Sequence, residues 1–190
     1  MELYIARHGQ TEFNVQKRWQ GHGDSPLTEL GRQQAAELGK RIEGIDFDVI
    51  YSSPLKRAMD TARIAFGDPE LVTDARLKEV GLGDAEGLTL EEVEAKFPGT
   101  FEKLGADPEA YFPPTNGEAL PAMMARIDSF LEELAAKPYS RVFVLTHGFA
   151  LRVFHACADD KSLSAIGRSP YVDNCHLSRF VCKGNKWTAL

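Results

Sequence analysis

A chain of 190 residues, 43% hydrophobic and 26% charged, suits one domain over 1–190 with room for a small insertion. A net charge of −6 at pH 7 argues against the basic surface that nonspecific nucleic-acid or anionic-membrane binding rewards. It does not exclude an anionic small substrate, because a local arginine pocket binds phosphate inside an acidic protein.

The elements alternate between extended and helical patterns. "ELYIA" predicts a short buried strand that ends in Arg7, His8 and Gly9. Thr28 to Ile42 predicts a helix capped by Thr28, with Leu30, Leu38 and Ile42 on one stripe and Gly31 and Ala35 as small packing positions. "FDVIYSS" predicts a second strand, and Pro54 marks the start of the helix "LKRAMDTARIAF". "ELVTD" and "RLKEV" predict short extended pieces. Four prolines interrupt the region from Gly81 to Gly117, which is too long for a bare connection and predicts a small helical insertion or lid.

Glu118 to Ala136 gives the clearest helix, with Leu120, Met123, Met124, Ile127, Phe130, Leu131 and Leu134 at helical spacing. "RVFVLT" is an almost uninterrupted apolar run ending in His147 and Gly148, the pattern of a central parallel strand covered on both faces. "FALRVFHA" predicts the next helix, and "HLSRFVCKGNKWTAL" a hairpin turning at Gly184 and Asn185. This order predicts an α/β fold with a mostly parallel mixed sheet between two layers of helices.

Cys157, Cys175 and Cys182 are odd in number and form no C-x-x-C pair, so they predict buried thiols in a reducing compartment. No apolar run reaches membrane-spanning length, and the first strand begins within the first few residues. The expectation is a soluble, cytoplasmic protein. The sequence does not choose between a monomer and a homodimer.

Ligands of open α/β sheets bind at the carboxyl ends of the strands. Three strands bring polar groups there: Arg7 and His8, Ser52 and Ser53 with Arg57 one turn on, and His147 with Gly148. "RLKEVGLGDAEG" adds Glu79. Two guanidiniums suit the oxygens of a phosphoryl group. A neutral histidine can attack phosphorus and carry it covalently, and a second can donate to its oxygens. A carboxylic acid can protonate the leaving oxygen and then deprotonate water. That acid must carry a proton when the leaving group departs, which an apolar site favours. Metal-ligand spacings such as H-x-H or H-E-x-x-H are absent, and arginines beside the histidines repel a cation, so the expectation is no metal and no cofactor.

Five stretches carry a resemblance. "RHGQTEFN", "GHGDSPLTELGRQQA", "IYSSPLKRAMDTA", "LKEVGLGDAEG" and "VLTHG" resemble, in order, the motifs of the histidine phosphatase superfamily, the phosphoglycerate mutase-like enzymes. The resemblance implies that His8 is the phosphorylated nucleophile, that Arg7, Arg57, His147, Asn14 and Gly148 serve the phosphoryl group, and that Glu79 is the acid/base. Gln20 and Gly21 lie where relatives often touch the rest of the substrate.

It implies a phosphoglycerate mutase-like fold and a phosphomonoester hydrolase acting on small phosphorylated metabolites, with no nucleic-acid or membrane partner. The alternatives are a cofactor-dependent phosphoglycerate mutase and a noncatalytic phospholigand-binding member. The mutase branch typically has a tyrosine soon after the glutamate and a basic segment in its insertion. Here Lys96 and Lys103 are the only basic residues between Val80 and Gly117, and "GDAEG" resembles the phosphatase branch. The noncatalytic members usually lose the nucleophile or the acid, and both are present. Phe97, Phe101, Tyr111 and Phe112 either pack the insertion's own core, the favoured reading, or form an apolar lid over the leaving group.

Overall fold

The computed structural model describes all residues from Met1 to Leu190. Six strands, β1 (Glu2–Arg7), β2 (Val49–Ser52), β3 (Val72–Thr73), β4 (Arg141–Thr146), β5 (Leu177–Lys183) and β6 (Lys186–Ala189), form one sheet in the order β3-β2-β4-β1-β5-β6. β1, β2, β3 and β4 pair in parallel, and β5 runs antiparallel to both β1 and β6. The sheet is therefore mixed. The expected hairpin forms at the chain end, with Gly184 and Asn185 both at positive φ, as a tight two-residue turn requires.

Alternation along β1 and β4 explains the layers. Leu3, Ile5, Val142 and Val144 join one buried cluster, and Tyr4, Ala6, Phe143 and Leu145 join the other. Successive side chains of a strand point to opposite faces, so an unbroken apolar run needs cover on both. α2 (Glu29–Arg41) and α3 (Lys56–Phe66) cover one face with Ala35, Leu38, Ala58 and Ala62. α6 (Leu120–Ala135) and α7 (Gly148–Ala158) cover the other. No helix is long and apolar enough to cross a membrane.

Register sets the functional edge. Arg7 pairs with Thr146, and Ser52 pairs with Leu145. His8, Ser53 and His147 therefore leave the sheet side by side.

The insertion is helical, with α4 (Leu90–Lys96) and α5 (Thr100–Ala106). Phe101 and Tyr111 are buried in the larger core cluster and Phe97 packs against it, whereas Phe112 is 81% exposed. Three expectations are corrected. Leu30 is 49% exposed, because the buried stripe of α2 runs through Gly31, Ala35 and Leu38 and places Leu30 on the solvent side. "RLKEV" is not extended at its start, since Ala75–Leu77 is a 3-10 turn capped by the Asp74 carboxylate. Two short helices, α1 (Glu12–Val15) and α8 (Leu163–Arg168), were not expected. The three cysteines are free, with Cys157 and Cys175 buried and Cys182 half-buried.

Gly31 is set by packing. A Cβ there would lie 2.0 Å from the Gln10 carbonyl oxygen, and one on Gly9 would lie 2.5 Å from the Gly31 carbonyl oxygen. The start of α2 thus packs backbone to backbone against the segment that follows His8. Gly31→Ala is expected to destabilise the fold by about 3 kcal/mol or more, the upper end of ordinary overpacking, because neither backbone can yield. Urea unfolding midpoints check this.

Candidate active site

The floor of the site is built from strand ends. His8 is buried, and its Nδ1 lies 2.7 Å from the Gly9 carbonyl oxygen. That carbonyl can only accept, so Nδ1 carries the proton and Nε2 keeps its lone pair. Arg57 Nε donates to the same Nε2 at 3.3 Å, which agrees with that tautomer. Three more of the five N–H donors of Arg57 are held by the Gly21 carbonyl at 2.8 Å, the Gly23 carbonyl at 2.7 Å and the Asp24 carboxylate at 3.3 Å, which leaves one on Nη2. Asp24 also accepts from the Lys56 N–H at the start of α3, so one carboxylate anchors both the helix and its arginine.

Arg7 Nη1 donates to the Val172 carbonyl at 2.6 Å, whereas its Nε is buried with no hydrogen-bond partner. His147 is fully buried, with its ring centroid 5.2 Å from that of His8. Its Nε2 lies 2.7 Å from Ser53 Oγ, and its Nδ1 has no partner. Buried polar atoms are rarely left unpaired, and both of these belong to the strand ends that meet here. Asn14 is oriented by the α1 capping box, with its Oδ1 accepting from the Thr11 N–H at 3.0 Å.

Burial, and next the positive charge of Arg57, holds both His8 and His147 well below the usual histidine range. His8 is therefore neutral, as a nucleophile must be. The sign for stability follows. The unfolded chain takes up protons near its ordinary histidine value, about 6.5, and the native state refuses them. Stability from these two groups is present above that value and falls as the pH drops below it. The expected loss is up to about 1.4 kcal/mol per pH unit for each histidine. Urea midpoints at about pH 7 and about pH 5 check this, and His8→Gln is expected to make the fall shallower.

Glu79 is half-buried. Its carboxylate accepts from the N–H groups of Phe149 at 3.0 Å, Ala150 at 2.9 Å and Val80 at 3.1 Å. It sits on the first turn of α7, where backbone N–H groups and the helix dipole favour an acidic group. Its own carbonyl is held by Arg126 from α6 at 3.0 Å and lies 3.0 Å from His22 Nε2.

These groups line a cavity of about 160 Å³. Arg7, His8, Asn14, Gln20, Gly21, Arg57, Glu79 and Gly148 are all in its wall. His147 lies buried behind it. Gly21 has a second task as the carbonyl partner of Arg57, and Gln20 accepts from Ser25 Oγ at 3.3 Å.

The sequence reading missed the rest of the wall, notably Arg18, Trp19, Leu104, Phe149 and Tyr171. The insertion reaches the cavity through Leu104 and by stacking Phe101 on Trp19 at 3.7 Å, so Phe97, Phe101 and Tyr111 are packing rather than lining residues, and the exposed Phe112 is neither. A larger cavity of about 580 Å³ lies between α6, the end of α7 and the hairpin. It has no histidine or arginine in its wall, and burial pushes the thiol of its Cys157 up to about 12, which keeps it inert. The chemistry belongs to the smaller cavity. No three His, Cys, Asp or Glu side chains are grouped so that they could hold a metal ion.

Comparison with known proteins shows the family and the fold. Phosphoglycerate mutase-like protein 4 of Arabidopsis thaliana is 31% identical over 98% of this chain and 82% of its own length. Phosphoserine phosphatase 1 of Hydrogenobacter thermophilus is 35% identical over 83% of this chain and 75% of its own. The solved structure of YhfR from Bacillus stearothermophilus superposes with a TM-score of 0.92 and 34% identity, covering 99% of this chain and 94% of that one. The model of the histidine phosphatase superfamily (branch 1) matches residues 3–190, and the chain belongs to that superfamily.

Proposed function

We propose that the protein is a metal-independent phosphomonoester hydrolase acting on small phosphorylated metabolites through a phosphohistidine on His8. One observation carries this reading. An unprotonated Nε2 faces a cavity beside Arg57, with the unpartnered Nε of Arg7 and Nδ1 of His147 buried at the same strand ends.

In the first step Arg57 Nε turns from His8 Nε2 to a phosphoryl oxygen, and the freed lone pair of Nε2 forms a bond to phosphorus as the bond from phosphorus to the ester oxygen breaks. Glu79, protonated, gives its proton to that oxygen, and the alcohol leaves. Arg7, Arg57, His147 Nδ1–H and the Asn14 amide hold the phosphoryl oxygens, so the charge of the transition state meets donors already in place. In the second step Glu79 takes a proton from water. The water oxygen attacks phosphorus, the P–N bond breaks, and its electron pair returns to Nε2. Inorganic phosphate then leaves.

A mutase would hand the phosphoryl group to a second hydroxyl instead. Phosphate release from a panel of phosphomonoesters with EDTA present, beside a 3-phosphoglycerate isomerisation assay with and without 2,3-bisphosphoglycerate, tests the reading. Release without isomerisation is the expected outcome. Isomerisation that depends on the bisphosphate would replace it with the mutase reading.

A further inference from the structure

Arg57 and Arg152 are the two fully buried arginines, and the reaction above uses only the first. Arg152 stands on α7, 1% exposed, and pairs with no carboxylate. A buried charge without a counter-ion is costly unless other groups meet it. Here carbonyls meet its Nε and Nη2, whereas Nη1 is buried without a partner. Arg152 donates to Gly105 at 3.0 Å, Ile166 at 2.8 Å and Ser169 at 3.1 Å. One guanidinium thus ties together the end of α5 in the insertion, the end of α8 and the loop that follows.

The same guanidinium lies under two rings of the cavity wall. Its Cζ is 4.3 Å from the Tyr171 ring centroid and 5.4 Å from that of Phe149. Tyr171 is 73% exposed, so little else restrains it. Gly105 completes the seat, since a Cβ there would lie 2.9 Å from Tyr171 Oη. Beyond Tyr171 the loop runs straight to the nucleophile. Val172 accepts from Arg7, Asn174 Nδ2 donates to the His8 carbonyl at 3.0 Å, and the Cys175 N–H donates to the Arg7 carbonyl at 3.1 Å.

We propose that Arg152 is a positioning residue that seats Tyr171 as the outer wall of the leaving-group side, so that this ring selects phosphoesters with a flat, apolar leaving group. The proposal rests on the phosphatase reading. Tyr171 contributes a face for stacking beside Trp19 and Phe149, and Arg152 and Gly105 fix where that face lies.

The test compares 1-naphthyl phosphate with glycerol phosphate for Tyr171→Ala, Arg152→Met, Gly105→Ala and the Tyr171→Ala/Arg152→Met double variant of the full chain. The expected result is that KM for the naphthyl ester rises about five- to tenfold more than KM for the glycerol ester in each single variant, the scale of a lost aromatic contact. The double variant should be no more selective than the more affected single one, because both act through one ring. Gly105→Ala leaves the guanidinium intact and favours helix, so it decides the matter if Arg152→Met does not fold. Equal KM changes on the two esters, or effects that multiply in the double variant, would overturn the role of Arg152 while leaving the phosphatase reading intact. Absence of phosphate release by the unaltered chain from either ester would overturn both.

Discussion

His8→Ala is expected to lower phosphate release by a factor on the order of 10⁴ or more, the scale on which removing a covalent nucleophile acts. No neighbour can take over. His147 is fully buried, with Nε2 engaged by Ser53, and Glu79 is bound at the start of α7. Both arginines are donors without a lone pair to give. The anion site should survive the change, because Arg57 is anchored through Gly21, Gly23 and Asp24 independently of His8. His8→Ala is therefore expected to bind inorganic phosphate within about tenfold of the parent, since a single neutral hydrogen bond is worth about 1 kcal/mol. Loss of phosphate binding together with turnover would mean that His8 organises the site rather than attacks.

The second large effect concerns Glu79→Gln. Esters with poor leaving groups are expected to slow by about 10²- to 10⁴-fold, the usual range for a lost general acid. p-Nitrophenyl phosphate should slow much less in its first step, because its leaving oxygen hardly needs a proton. Its second step should still suffer, since water then has no base. A burst of p-nitrophenol followed by slow turnover is the expected trace, measured by stopped flow. The amide also turns an N–H toward one of the N–H groups of Phe149, Ala150 and Val80, where the carboxylate accepts. That misfit alone would slow every ester equally. A uniform loss without a burst would therefore assign Glu79 to holding α7 in place and not to proton transfer.

The floor of the site was legible because it hangs on strand ends. β1 and β4 read as apolar runs that stop in Arg7–His8 and His147–Gly148, and parallel register then brings the stops together. The remainder was not legible, for physical reasons. Trp19, Leu104, Phe149 and Tyr171 come from four distant segments, and only packing gathers them. Asp24 stood within a recognised stretch, yet nothing local says that one of its oxygens caps α3 while the other holds Arg57. Arg152 interrupts an apolar helix pattern as a single charge, which reads as a solvated position until its carbonyl partners are seen. α1 is four residues long and rests on its Thr11–Asn14 capping box, too short a pattern for periodicity to find. The placing of Leu30 failed because a residue in the first turn of a helix can share its spacing and still face outward.

The central claim is a covalent bond between His8 Nε2 and phosphorus. It is tested most directly by mixing the protein with a labelled phosphomonoester, quenching in alkali within the first turnover and mapping the label. The account predicts a phosphoramidate on the peptide that contains His8, stable in alkali and lost in acid, and absent from His8→Ala. Phosphate release with no trapped label, or label on a residue other than His8, would contradict it.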